Sequence, residues 1–226
     1  MNNPDGDAKK LIIVCDDLYG LDVLTIIDAI NQHCMDANSI KYNVIGFISD
    51  NVNCFLETIH PVPLIGKLSD WNCKPEASYV IAIRSPVRKQ LVVEKLKQQG
   101  ASFETIIAPW VRLPSEFVVG EGCVLANYKF KNKSRFGNFV IMDTAMCETV
   151  EIDDFSTLCP FVNITNAKIG KRVYVGTHSA IISNRKIGDD AVLLPGSIVL
   201  TDIKPGTTVA GVPASIRNAK KWRTIE

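Results

Sequence analysis

Histidine is scarce in this chain. There are three, His33, His60 and His178, in 226 residues. A zinc site of the kind that needs three imidazoles is therefore hard to build, the more so because only His178 lies in the second half. Net charge is nearly absent too: 25 Lys and Arg against 24 Asp and Glu leave +1. No global field is then available to draw nucleic acid or an anionic membrane surface, and an anionic ligand must be met by local groups. The seven cysteines (Cys15, Cys34, Cys54, Cys73, Cys123, Cys147 and Cys159) include no C-x-x-C pair, which excludes a zinc ribbon and a thioredoxin-type motif. No metal is expected. No apolar run reaches the roughly 18 residues of a membrane span, and the opening MNNPDGDAKK has no apolar signal segment. Scattered free thiols then point to a reducing cytoplasm, with most of the cysteines acting as small buried apolar residues. With 46% apolar and 22% charged residues, the chain is globular and not disordered.

The first half alternates strands and helices. Residues 11–15 (LIIVC), 43–48 (NVIGFI) and 79–83 (YVIAI) are apolar runs suited to buried parallel strands. Between Leu21 and His33, Val23, Leu24, Ile26, Ile27 and Ile30 fall at helical spacing. Ser85-Pro86 is an N-cap followed by proline at the first helical position, and Gly100 is a stop signal. Residues 104–107 (ETII) read as a fourth strand. The pattern implies a small parallel α/β sheet, whose ligands sit beyond the carboxyl ends of the strands. That points to the loops Cys15–Gly20, Ser49–Asn51 and Arg84–Arg88.

After Pro109 the period changes. An aliphatic or aromatic residue recurs about every six positions: Val119, Leu125, Phe136, Met142, Ile152, Leu158, Ile164, Ile169, Val175, Ile181, Ile187, Leu193, Val199. From Ile152 to Val199 every step is six except one of five. Small or acidic residues follow, as in Phe136-Gly137, Ile169-Gly170 and Val175-Gly176. This hexapeptide period specifies a parallel β-helix, with the aliphatic residues inside the prism. The division is expected as residues 1–109, 110–215 and a tail, 216–226.

The stretches Val44-Ile45-Gly46-Phe47-Ile48-Ser49-Asp50-Asn51, Gly137-Asn138-Phe139-Val140-Ile141, Val175-Gly176-Thr177 and Val209-Ala210-Gly211-Val212-Pro213-Ala214 resemble the bacterial nucleotide-sugar acyltransferases of the sialic acid, bacillosamine and perosamine pathways. In those proteins a small Rossmann-like domain precedes a left-handed β-helix. The resemblance implies a homotrimer with sites between neighbouring β-helices, acetyl-CoA lying along the prism, and a UDP- or dTDP-linked amino sugar held partly by the N-terminal domain, in surface-glycan (lipopolysaccharide) sugar biosynthesis. It places Gly176, Thr177, Ala180, Gly196, Gly211 and Pro213 along the acetyl-CoA track, with His178 beside it. Backbone N–H groups at the small turn residues would meet the oxyanion. Lys220, Lys221 and Arg223 are available for CoA phosphates, or form a solvated tail.

The chain departs from that family at two places. The family pattern around its base is roughly I-x-N-T-x-x-x-I-x-H-[DE]-x-x-I-G-D-F. The segment Met142–Phe155 is two residues shorter and carries no His. If the gap falls before Glu148, Glu148 takes the His position and Thr149 the acidic one; Asp143 then replaces the Asn, and Thr157 stands where a second family His falls. Glu148 and Asp143 become the candidates to hold an ammonium and take its proton, although each could equally be a solvated turn carboxylate. A hydroxyl needs a strong positioned base and an amine does not, so N-acetylation is favoured over O-acetylation. The second departure is the first loop, Cys15-Asp16-Asp17-Leu18-Tyr19-Gly20, which keeps one glycine. Its two carboxylates repel a pyrophosphate. Asp16, Asp17, Ser49 and Asp50 are expected to contact base, ribose or sugar, and Arg84 and Arg88 to meet phosphate. Three readings follow: an amino-sugar N-acetyltransferase, a sugar O-acetyltransferase, and a catalytically inactive β-helix that binds a ligand or scaffolds a partner.

Overall fold

The computed structural model describes residues 8–33, 42–51, 61–126 and 129–218. Its N-terminal unit is a sheet of five parallel strands: β1 (Lys9–Cys15), β2 (Tyr42–Ile48), β3 (Leu64–Gly66), β4 (Ser78–Ala82) and β5 (Ser102–Phe103), in the order β3-β2-β1-β4-β5. β1 and β4 are buried along nearly their whole length, as their unbroken apolar runs require. Helix α1 (Tyr19–His33) starts where Asp17 Oδ1 accepts the Tyr19 N–H at 2.8 Å, and it buries Val23, Leu24, Ile26 and Ile27. Helix α2 (Pro86–Gln98) begins with Ser85 Oγ accepting the Arg88 N–H at 3.4 Å, and the chain leaves it through Gly100 at φ +82°. Both helix signals read in the sequence are in place.

Residues 104–107 do not form the sheet's next strand. That strand is β5, two residues earlier, paired with β4. Ile106–Ile107 (β6) instead pairs with Val124–Leu125 (β8) and opens the second unit. Strand β3, only three residues long, carries no periodic signal in the sequence.

The second unit is a parallel β-solenoid of the left-handed β-helix type. Its first face stacks β6, β8, β10 (Ile141–Met142), β12 (Thr157–Leu158), β14 (Tyr174–Val175), β17 (Val192–Leu193) and β19 (Thr208–Ala210), closed by an antiparallel β20 (Ser215–Ile216). The other faces are built from β7 (Phe117–Val118), β9 (Lys129–Phe136), β11 (Met146–Ile152), β13 (Asn163–Ile169), β15 (Ala180–Ile181), β16 (Lys186–Ile187) and β18 (Ile198–Val199). The expected hexad residues Leu125, Phe136, Met142, Ile152, Leu158, Ile164, Ile169, Val175, Ile181, Ile187, Leu193 and Val199 form one buried core. Among the described residues nine non-glycine residues have positive φ, Phe139 and Asp190 among them, and all nine lie in this unit, at its corners. Each pays a conformational penalty that packing and the coil-to-coil hydrogen bonds offset.

The short segment Met142–Ile152 is not a defect in the prism. Cys147, 3% exposed, supplies the inward residue between them, so the step of ten is two steps of five. β11 runs unbroken through its corner with Thr149 at φ 52°, and β13 does the same with Asn166 at φ 46°.

The two units share a core. Val124 and Ile141 of the first face, with Ile106 and Ala108, pack against Ile13, Cys15, Tyr19 and Val23. From α2, Lys89 is fully buried, and its Nζ donates to Ser156 O at 3.2 Å and Thr157 Oγ1 at 2.8 Å. Burial pulls its pKa down to about 7.

Candidate active site between the sheet and the solenoid

The carboxyl ends of β1, β2 and β4 bring the three expected loops together. Arg84 Nη2 donates to Asp17 Oδ2 at 2.8 Å, and its guanidinium lies 5.3 Å from the Tyr19 ring centre. Arg88 binds Asp16 through Nε at 2.5 Å and Nη2 at 3.1 Å, and reaches Asp50 Oδ2 at 3.3 Å. Asn51 donates from Nδ2 to Asp16 O at 3.1 Å. Burial works against the Asp50 carboxylate, but hydrogen bonds from Ser69 and Arg88 outweigh it and lower its pKa. Of the expected sugar-side residues, Asp16, Asp17, Asp50 and Arg84 share this cluster. Ser49 is inside the protein at 0% exposure, where its Oγ accepts the Asn51 N–H and shapes the turn. Both arginines foreseen for phosphate are engaged by the loop's own carboxylates.

Against this cluster the solenoid presents the end of its first face. Asp143 follows β10, and burial raises its pKa to about 6; the nearby Asp22 adds to the shift while Arg84 and Tyr19 oppose it. In the next coils Cys159 Sγ contacts Tyr174 Oη at 3.2 Å, and burial raises both pKa values. Tyr19, 2% exposed, has its phenol pKa raised by burial and then by Asp143, but its hydroxyl closes no hydrogen bond among the described residues. Asp22, Tyr174 and Cys159 belong to this site and carry no sequence signal, because the solenoid is folded against the sheet by contacts between distant segments.

The remaining expected residues lie along one corner ridge, except two. Thr144 O accepts the Phe161 N–H, Pro160 O the His178 N–H and Thr177 O the Gly196 N–H, so the Asp143, Gly176–His178 and Gly196 turns stack coil on coil. Gly211 and Pro213 continue the ridge, after β19. His178 is exposed, at φ 58°, with Thr177 Oγ1 at 3.0 Å from its Nδ1 and the Phe161 ring centre at 4.9 Å. Ala180 begins the second face in β15. Glu148 lies apart, in β11 across the second face from Asp143, paired in the ladder with Thr165. The two expected carboxylates therefore do not share a site within one chain. His33 ends α1, with Nδ1 against Ala29 O at 2.8 Å. His60, Lys220, Lys221 and Arg223 lie outside the described residues. A separate groove on the third face is lined by Lys133, Arg135, Lys168, Arg185 and Lys186 with Glu151. No group of three or more metal-ligating side chains occurs, and no helix is long and apolar enough to cross a membrane, among the described residues.

The fold is shared with solved acetyltransferases. The acetyltransferase domain of PglB from Neisseria gonorrhoeae, solved with acetyl coenzyme A, matches with a TM-score of 0.80 over 93% of this chain and 100% of that one, at 22% identity. PerB from Caulobacter crescentus, solved with CoA and GDP-perosamine, matches with a TM-score of 0.75 over 92% of this chain and 97% of that one, at 19% identity. In sequence, the bifunctional protein GlmU of Anaplasma marginale is 26% identical over 114 residues, 44% of this chain. The match spans about a quarter, 26%, of that relative's length. Galactoside O-acetyltransferase of Escherichia coli is 44% identical over 48 residues, 21% of this chain and 24% of its own. No known family profile matches the chain.

Proposed function

We propose that the chain is an acyltransferase that passes the acetyl group of acetyl-CoA to the amine of an amino sugar, nucleotide-linked as in GDP-perosamine. The observation that carries this reading is the end-to-end match, over 92–93% of the chain, to the PglB domain and PerB, solved with acetyl-CoA and with CoA plus GDP-perosamine. A match of the solenoid alone would say less. Here the match extends over the N-terminal sheet as well.

In this reading the acceptor lies in the cleft beside Asp143, and its neutral amine attacks the thioester carbonyl. The C–N bond forms, the C–S bond breaks, and CoA leaves as the thiolate. The proton of the new ammonium passes to Asp143 or to that thiolate. With a pKa near 6, Asp143 is a better proton acceptor than an ordinary carboxylate and is still ionised at pH 7. The N–H groups of Gly176, His178, Ala180 and Gly196 already donate to carbonyls of neighbouring coils, so the oxyanion takes its donor from elsewhere in the site. The basic groove of the third face is placed to hold the CoA phosphates between copies of the chain, which assemble as a homotrimer. Glu148, across the second face, acts only if a neighbouring copy brings it to the cleft.

The O-acetyltransferase reading has one observation of its own, the 44% identity to galactoside O-acetyltransferase over 48 residues. Against it, His178 lies tilted against Phe161, with Thr177 Oγ1 at 3.0 Å from its Nδ1, and no hydrogen bond joins it to Asp143 among the described residues. Thiol release from acetyl-CoA, screened over nucleotide-linked amino sugars with 4-amino sugars first, decides between the two. Release with amines supports N-acetylation; release with hydroxyl acceptors alone transfers the assignment to O-acetylation.

A further inference from the structure

Three groups converge where α1 meets the third coil, and none of them has an ion-pair partner of its own among the described residues. Asp22, in the first turn of α1, is exposed. Asp143 lies deeper, after β10; burial lifts both pKa values, Asp22 lifts that of Asp143 further, and Asp17 lifts that of Asp22. Neither forms an ion pair among the described residues. Arg84 is the cation that reaches both, and its Nη2 is already held by Asp17 at 2.8 Å. The third group is Tyr19 Oη. It is enclosed by protein and faces the Asp143 carboxyl, which it approaches without closing a hydrogen bond of full geometry. A buried hydroxyl in that state is unfavourable and signals a missing partner.

Two carboxylates and a phenol oxygen are acceptors in search of donors. A primary ammonium brings three N–H donors and one positive charge, which is what the cluster lacks. A phosphate would meet the carboxylates of Asp17, Asp22 and Asp143 with a single guanidinium already engaged. We propose that Tyr19, Asp22 and Asp143 form a cradle for the ammonium of the acyl acceptor, with Asp22 as its selectivity residue. The acceptor enters protonated, is held by the two acids, and is recognised as an amine before it gives one proton to Asp143; the second proton, lost after the C–N bond forms, goes to the departing CoA thiolate. This inference rests on the acyltransferase reading and adds the group that reads the amine.

The test measures thiol release from acetyl-CoA with hexosamine acceptors, free and nucleotide-linked, GDP-perosamine among them. Each acceptor is paired with its counterpart carrying a hydroxyl in place of the amine. The expected result is turnover of at least one amine and not of its counterpart. Asp22→Asn raises KM for that amine about tenfold or more with kcat nearly unchanged, as loss of a charge-assisted contact to the bound cation requires. KM for acetyl-CoA stays as in the wild type. Tyr19→Phe, which keeps the ring in the core, raises the same KM. An unchanged KM in Asp22→Asn, equal use of amine and hydroxyl, or silence across the panel while acetyl-CoA still binds by calorimetry each overturns the cradle. Failure of the wild-type chain to bind acetyl-CoA at all overturns the acyltransferase reading beneath it.

Discussion

Asp143 is held by the fold in a form that ordinary solution would not favour. Burial first, and Asp22 second, put its pKa at about 6, against an ordinary value near 4. Between about pH 4 and 6 the folded chain therefore keeps a proton that the unfolded chain has lost. Stability falls as pH rises through that window, and the loss is complete above it. Asp143→Asn should accordingly be more stable than the wild type at pH 7, by about 2 kcal/mol once partial exposure is allowed for, and no more stable at pH 4. Thermal melts at the two pH values check this. Thiol release by the same variant should fall. In the wild type kcat/KM should rise with pH through about 6 as the carboxyl, faced by Tyr19, Asp22, Arg84 and Cys159, ionises. A variant that loses both stability and activity, or a flat pH profile, would show that Asp143 is only a structural acid.

At the scale of elements, the solenoid depends on how closely one coil follows the next. A Cβ at Gly176 would meet Pro195 N at 2.6 Å and Leu193 O at 2.8 Å, both backbone atoms of the neighbouring coil. Gly176→Ala should therefore cost about 2 kcal/mol or more, read as a lowered denaturation midpoint, whether or not the residue also meets acetyl-CoA. The corner beside α2 is packed in another way: Phe139 and Phe155 stack at 5.3 Å with rings 5° from parallel, and Lys97 Nζ lies 5.0 Å from the Phe139 centre. Lys89 pins α2 to the same region. Its pKa, lowered by burial to about 7, means that between pH 7 and about 10 the unfolded chain holds a proton that the folded chain does not. Folding stability should rise with pH across that range. Comparing urea midpoints at pH 7 and 9 for the wild type and Lys89→Met should show the rise in the wild type alone.

For the whole molecule, the three faces of the prism differ in what they offer. The first is partly covered by the α/β unit, with which it shares a core. The third is lined with Lys and Arg. The second and its corners expose Met146, Phe161, Ile182 and Leu200 at 66%, 63%, 42% and 45%. Apolar side chains gathered on one face suit contact with further copies of the chain. Light scattering on an eluting peak should give a mass three times the chain's 24.9 kDa. Met146→Glu should shift that mass toward the single chain, because it places a charge within the apolar face. A wild-type monomer would remove any site built from two copies, including one that uses Glu148.

Periodicity carried most of the architecture, because burial alone dictates it. The hexad spacing placed its aliphatic residues inside the prism, and Ser85-Pro86 and Gly100 bounded α2, without any knowledge of what lies opposite. The step of ten from Met142 to Ile152 was legible only as a shortening. That Cys147 fills the gap depends on β11 turning a tight corner beside β13, a matter of coil packing. Likewise, the Asp16-Asp17 loop and Arg84 could be recognised as ends of parallel strands. Their mutual pairing, and the approach of Asp143, Tyr174 and Cys159, could not. Local pattern records which side of an element is buried; it does not record which distant element buries it. The meeting of Tyr19, Asp22, Arg84 and Asp143 exists only because the first face of the solenoid packs against the sheet and α1.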